Sequence, residues 1–171
     1  MYFEIIQQFH KSLGNLDAIL AKAEKYAEAR KFSPDNFLTA RLAPDMLPFT
    51  AQIRIACDGA KGAAAAMSGQ QAPKHEDSEA TFADLRARVQ KCRDYLATFT
   101  PDDFANTTAT TIVPIPYPPQ KAMYAQEALL ARYVPNFFFH VTTAYDLLRK
   151  GGVDLGKNDY LGELQQFDRP A

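Results

Sequence analysis

The chain has 171 residues, 47% of them apolar and 23% charged, so it can bury a sizeable core without a disulfide or metal staple and need not be disordered. Nineteen basic and twenty acidic residues give a net charge of −1 with no lysine or arginine block, which argues against a nucleic-acid partner. Cys57 and Cys92 form neither a CxxC nor a zinc-ligand spacing, Glu4 precedes any positive charge, and no apolar run approaches a bilayer-spanning length. These features predict a reduced, cytoplasmic protein without a signal peptide or membrane partner, folded as one domain over residues 1–171.

Tyr2, Ile6, Phe9, Leu13, Leu16, Leu20, Ala23 and Ala27 recur at three- and four-residue intervals and predict a long amphipathic helix from Tyr2 to about Arg30. Ser33-Pro34-Asp35 breaks it, because proline lacks an amide proton and disfavours helix in its predecessor. A connector to about Pro44 tucks Phe37, Leu38 and Leu42 against the bundle. The second helix is predicted from about Asp45 to Met67, with Asp45 as a possible cap, Pro48 in its first turn and Phe49, Ile53, Ala56, Ala60, Ala63 and Met67 on its stripe. Gly59 and Gly62 weaken this helix, and close approach of a neighbour is the expected compensation.

Ser68-Gly69 ends the second helix, and a polar loop to Glu79 carries His75. Thr81 and Asp84 fit the capped start of a third helix through Phe82, Leu85, Val89, Cys92, Leu96 and Phe99. Thr100 to Lys121 loses the helical period, and Thr107 to Val113 reads as an edge strand or hairpin, since Pro114 and Pro116 forbid a central strand. A helical stretch from Ala122 to Tyr133 leads to Pro135, and the last main helix starts at about Asn136 and ends where Gly151 takes a left-handed cap. Val153, Leu155, Tyr160 and Leu161 anchor the segment that follows.

His140 stands out in the last main helix, about 75° from the centre of the Phe137/Val141/Ala144/Leu148 stripe and so at the edge of the core. Imidazole titrates near neutral pH and ligates divalent ions, but a lone histidine at such an edge is more simply a neutral side chain bonded to a hydroxyl or carbonyl. His10 lies about 90° off the first helix's stripe, and His75 sits beside Glu76 and Asp77 in a solvated loop. Arg54, Asp58 and Lys61 share the face of the second helix opposite its stripe and read as solvated ion pairing, with Asp58 able to hold a loop or a partner subunit. Arg41 can pair with an acid. Cys92 reads as a buried small hydrophobe and Cys57 as a stripe-edge residue. Pro116 to Pro119 is a PxxP run, and Phe137, Phe138 and Phe139 point three ways, so one of them leaves the stripe for an interface or pocket wall.

The segments ARLAPDMLPF, the alanine-rich helix after it, EATFADL and PNFFFHVTTAYDLLRKGGVDLGKNDYLG resemble an uncharacterised bacterial family, a domain of unknown function placed among DinB/YfiT-like four-helix bundles. The likeness spans nearly the whole chain and implies an all-α, DinB-like four-helix bundle with long crossover connections, often homodimeric. The wider superfamily includes metal-dependent thiol S-transferases and maleylpyruvate isomerases that use one histidine on the second helix and an HxxxH pair on the last. His140 matches the first of that pair, but Ala144 stands four residues on, and the second helix offers only Gln52 on the corresponding side. The expectation is therefore a bundle without metal or other cofactor that binds a small molecule among His140, Tyr145 and Gln52, or that dimerises. The alternatives are a metal-dependent enzyme of the thiol S-transferase kind using His140, and an interaction module presenting the proline-rich loop or the phenylalanine cluster.

Overall fold

A computed structural model describes residues 1–115 and 117–169. Four long helical elements form the bundle: α1 (Tyr2–Ala29), α2 (Phe49–Ser68), α3 (Phe82–Leu96) and a composite last helix. The composite runs from the single turn α4 (Ala125–Glu127) through a π-helical stretch (Ala128–Tyr133) into α5 (Val134–Lys150), and α6 (Lys157–Leu161) follows. One cluster of buried apolar side chains joins the four, including Phe9 and Leu13 of α1, Ile53 and Met67 of α2, Leu85 and Val89 of α3, and Phe137 and Leu148 of α5.

The helix ends follow local chemistry. α1 stops short of Pro34 because Lys31 turns left-handed at φ 59°, which lets the Phe32 amide reach back to the Ala27 carbonyl at 3.0 Å. α2 starts at Phe49, later than expected, with Pro48 as its extended N-cap, so Asp45 does not cap it. Arg41 turns to the Met46 carbonyl rather than to an acid. The capping box of α3 forms as expected: the Asp84 amide donates to Thr81 Oγ1 at 3.1 Å, and the Thr81 amide donates to Asp84 Oδ2 at 2.9 Å. α3 ends at Leu96, leaving Phe99 buried just beyond it. The sequence pattern did not reveal that Asp35, in the first crossover, accepts the Phe82 amide at 2.7 Å and so ties the two connections together.

The hairpin is shorter and later than the expected Thr107–Val113 strand. β1 (Ile112–Pro114) pairs antiparallel with β2 (Ala122–Tyr124), Val113 opposite Met123. Thr108 and Thr111 spend their hydroxyls on each other and on the local backbone, which favours a turn over a strand upstream of Ile112. Residues 122–124 are consequently strand and not helix. The PxxP reading includes Pro116, outside the described residues.

Pro135 does not separate two helices. It enters the first turn of α5 directly after the π-helical stretch, whose wider hydrogen-bond spacing accommodates the ring and the missing amide proton. At the other end Gly151 stays right-handed at φ −73°, and the left-handed position is Gly152 at φ 94°. A Cβ on Gly152 would lie 2.5 Å from the Tyr26 hydroxyl, and one on Gly151 would lie 2.6 Å from Phe37 Cε1, so the pair of glycines lets the chain turn tightly across α1.

Candidate functional site

α2 and the composite last helix lie side by side in opposite directions: Gln52 meets His140, Gly59 meets Asn136, and Gly62 meets Tyr133. Gln52 is buried, and its Nε2 donates to the Leu47 carbonyl at 2.9 Å, which leaves Oε1 as an acceptor. His140 Nδ1 lies 2.7 Å from that Oε1, so Nδ1 carries the proton and Nε2 keeps a lone pair. Burial lowers the imidazole pKa from its ordinary value and keeps the ring neutral. His140 is thus the bonded core-edge histidine of the simpler reading, its carbonyl partner being the side-chain amide of Gln52.

One turn along the same seam, a groove of about 320 Å³ opens over the two glycines, walled by Ile55 and Asp58 of α2 and by Arg132, Tyr133 and Asn136 of the last helix. The expected close helix approach is not what the glycines serve. A Cβ on Gly59 would meet only Asn136 Nδ2, at 3.4 Å, and one on Gly62 only Tyr133 Cε1, at 3.7 Å. Both are ordinary contacts with side chains, so the glycines leave open space rather than relieve a clash. Arg132 and Tyr133 belong to the π-helical stretch, whose altered spacing turns them toward α2.

The charged face of α2 is solvated only in part: Asp58 is exposed, but Lys61 is buried and Arg54 partly covered. The Arg88 side chain, 2% exposed, reaches it from α3 and bonds Asp58 at 2.8 Å, Glu79 at 2.8 Å and Asp77 at 3.0 Å. Lys61 is buried against Asp58, and Arg54 pairs with Glu79 rather than with a residue of its own helix. The loop from Gly69 to Thr81 closes over this cluster, which explains the error: a wheel shows spacing on one helix and not the chain folded across it. Burial pushes the Glu79 carboxyl up, but hydrogen bonds from Arg88, its own backbone and Arg54 hold it below the usual range. His75 belongs here too, half-buried beside Arg88 instead of solvated, with its pKa lowered first by burial and then by Lys61 and Arg88. Asp58 bonds Lys61 of its own helix and Arg88 of α3 and, among the described residues, makes no bond to the loop; Arg88 and Arg54 hold the loop instead, through Glu79 and the Glu76 carbonyl, which the sequence did not reveal.

Tyr145 does not join His140. Five residues on, it points roughly 140° away around the helix. Its hydroxyl donates to the Leu155 carbonyl at 3.4 Å, and its ring stands edge-on to Tyr160 at 5.9 Å, at a shallow surface cleft. His10 lies near Arg93 and Asp94 of α3, its pKa lowered mainly by burial. Cys57 and Cys92 are both buried and meet across α2 and α3, the Cys92 thiol donating to the Cys57 carbonyl at 3.3 Å. The Cys92 thiol and burial push the Cys57 thiol well up, away from a nucleophilic thiolate. Of the phenylalanines, Phe137 is fully buried, Phe138 packs against Phe9, and Phe139 leaves the stripe at 55% exposed.

A three-imidazole metal site does not fit these residues. His140 commits one nitrogen to a neutral amide, Ala144 is a buried methyl, and Asn136 stands four residues before His140. Among the described residues no group of three or more His, Cys, Asp and Glu side chains is placed to hold a metal ion, and no helix is long and apolar enough to cross a membrane.

Comparison with known proteins agrees with this architecture. The family model described as Domain of unknown function (DUF1993) matches residues 1–161. A crystal structure of a DinB family member protein from Shewanella denitrificans is 43% identical and superposes with a TM-score of 0.88, covering 96% of this chain and 93% of that one. No curated protein matches. With its helical bundle, small hairpin and match over nearly the full length, the chain belongs to the DUF1993 family of unknown function, within the DinB-like superfamily.

Proposed function

We propose that this protein is a metal-free ligand-binding bundle whose site is the groove between α2 and the composite last helix. One observation carries the reading: Gly59 and Gly62 sit in a helix interior where alanine would fit without a clash, yet the space above them is open, with a largely apolar lining edged by a few polar side chains. The His140–Gln52 pair, one turn away, stiffens the end of this seam by fixing α2 to α5 with a buried hydrogen bond. The unbridged cysteines fit a reducing, cytoplasmic setting.

A fragment panel monitored by amide NMR tests the reading. Hits should perturb Gly59, Gly62 and Asn136 together and vanish in Gly62→Leu, whose side chain fills the groove. Hits that cluster elsewhere on the surface would overturn it. Metal analysis of the same preparation should find no equivalent of zinc, nickel or manganese; a full equivalent that disappears in His140→Ala would favour the thiol S-transferase type of enzyme instead.

Homodimerisation is a second reading, supported by Phe139 at 55% and Leu47 at 51% exposed. Phe139 packs edge-on against the His140 ring, and the Leu47 carbonyl receives Gln52, so both flank the buried pair. Exposed apolar side chains grouped in this way are a feature of contact surfaces.

A further inference from the structure

The polar groups around the groove differ in what remains available to them. The Asp58 carboxylate is engaged on both oxygens, Oδ1 by Lys61 at 2.9 Å and Oδ2 by Arg88 at 2.8 Å. Arg132, Tyr133 and Asn136, by contrast, make no side-chain hydrogen bond or ion pair with other described residues. Tyr133 is the most enclosed of the three: the residue is only 5% exposed, yet its hydroxyl is not among the buried unpartnered polar atoms and so stays within reach of solvent. Its ring edge lies over Gly62, so the phenol end faces the open space. Desolvation raises its pKa, which keeps the hydroxyl protonated and able to donate.

Arg132 adds a planar fork of donors with a fixed positive charge, matched in shape to a carboxylate. Asn136 Nδ2 lies 3.4 Å from the point a Gly59 Cβ would occupy and supplies a neutral donor across the groove. The groove's one carboxylate is thus already paired with two cations, while a cation and two neutral polar side chains have no such partner among the described residues. Ile55 and the Tyr133 ring provide the apolar wall, and about 320 Å³ is at the small end of ligand sites.

We propose that the groove binds a small monocarboxylate, with the carboxylate held by the Arg132 guanidinium and the Tyr133 hydroxyl, and a short apolar portion lying over Gly59 and Gly62 against Ile55. This assignment rests on reading the groove as the ligand site, and it adds the charge and polarity of what enters. The Asn136 amide borders the same carboxylate, and the Lys61 and Arg88 partners of Asp58 keep that side chain from repelling it.

The test compares hexanoate, hexanol and hexylammonium, three probes with the same apolar chain, by amide and arginine side-chain NMR on the full chain. Hexanoate should bind most tightly and shift the Arg132 Nε–H and the Gly59, Gly62 and Asn136 amides. Arg132→Gln should weaken hexanoate about tenfold, the loss of one charge-assisted pair, and leave hexanol unchanged. Tyr133→Phe keeps the ring and should weaken hexanoate alone, so an effect there cannot come from misfolding. Equal binding of hexanol and hexanoate, or preference for hexylammonium, overturns the carboxylate while the groove stands as a ligand site. Groove resonances that no probe shifts overturn both.

Discussion

Burial acts in the same direction on all three histidines: His10, His75 and His140 each have a pKa below the ordinary value of 6.5. In the unfolded chain these rings take up protons first, so folding stability is fully present above about pH 6.5 and is lost as pH falls toward the lowered folded-state values. Thermal unfolding followed by circular dichroism should show the melting temperature falling between pH 7.5 and 5.5, and His140→Gln should flatten part of that fall. A variant that keeps the parent's full pH slope would remove His140 from the account. At this scale the sequence was half legible. The resemblance to the DinB-like superfamily set Gln52 on the side of the second helix that corresponds to His140, and the two meet at 2.7 Å. Tyr145 was wrongly grouped with the pair, although 100° per residue already turns it roughly 140° from His140 around the same helix. Arg88 and Lys61 stayed hidden because a buried cation leaves the same polar signature in a sequence as a solvated one.

The unusual cost among the elements lies in α2. Glycine in a helix interior is about 1 kcal/mol less favourable than alanine, and α2 carries two glycines where a methyl group finds room. Gly59→Ala and Gly62→Ala should each therefore stabilise the fold by up to about 1 kcal/mol, read as an upward shift of the urea midpoint with an unchanged slope. A loss of stability in either would show that the groove's walls already press on the helix. The first three helices, the α3 cap and the presence of a hairpin were readable, since period and capping chemistry are local. The continuity through Pro135 was not, because a proline signals a break unless the preceding turn widens, and a π-helical stretch has no compositional mark of its own.

At the scale of the whole molecule, Phe139 and Leu47 bear on assembly. Light scattering at micromolar concentration should give a mass of two chains, and Phe139→Ser should return it to one; a parent protein that already runs as a single chain would remove the homodimer. The family and the bundle were legible because motifs spread over nearly the full length carried them, whereas the groove draws its walls from residues more than sixty positions apart and no motif joins them.

The segment around α6 has a consequence for the order in which the molecule can be completed. Asn15 of α1 donates to the Tyr160 carbonyl, 145 positions downstream, and Lys22 pairs with Asp159 at 2.6 Å. α1 is thus made early on the ribosome, and one of its flanks waits for partners that emerge only after the rest of the bundle. A nascent chain arrested before Asp159 has every core helix and still lacks this outer lacing, so protease resistance of α1 during synthesis should arrive late, in step with the emergence of α6 and not of α5.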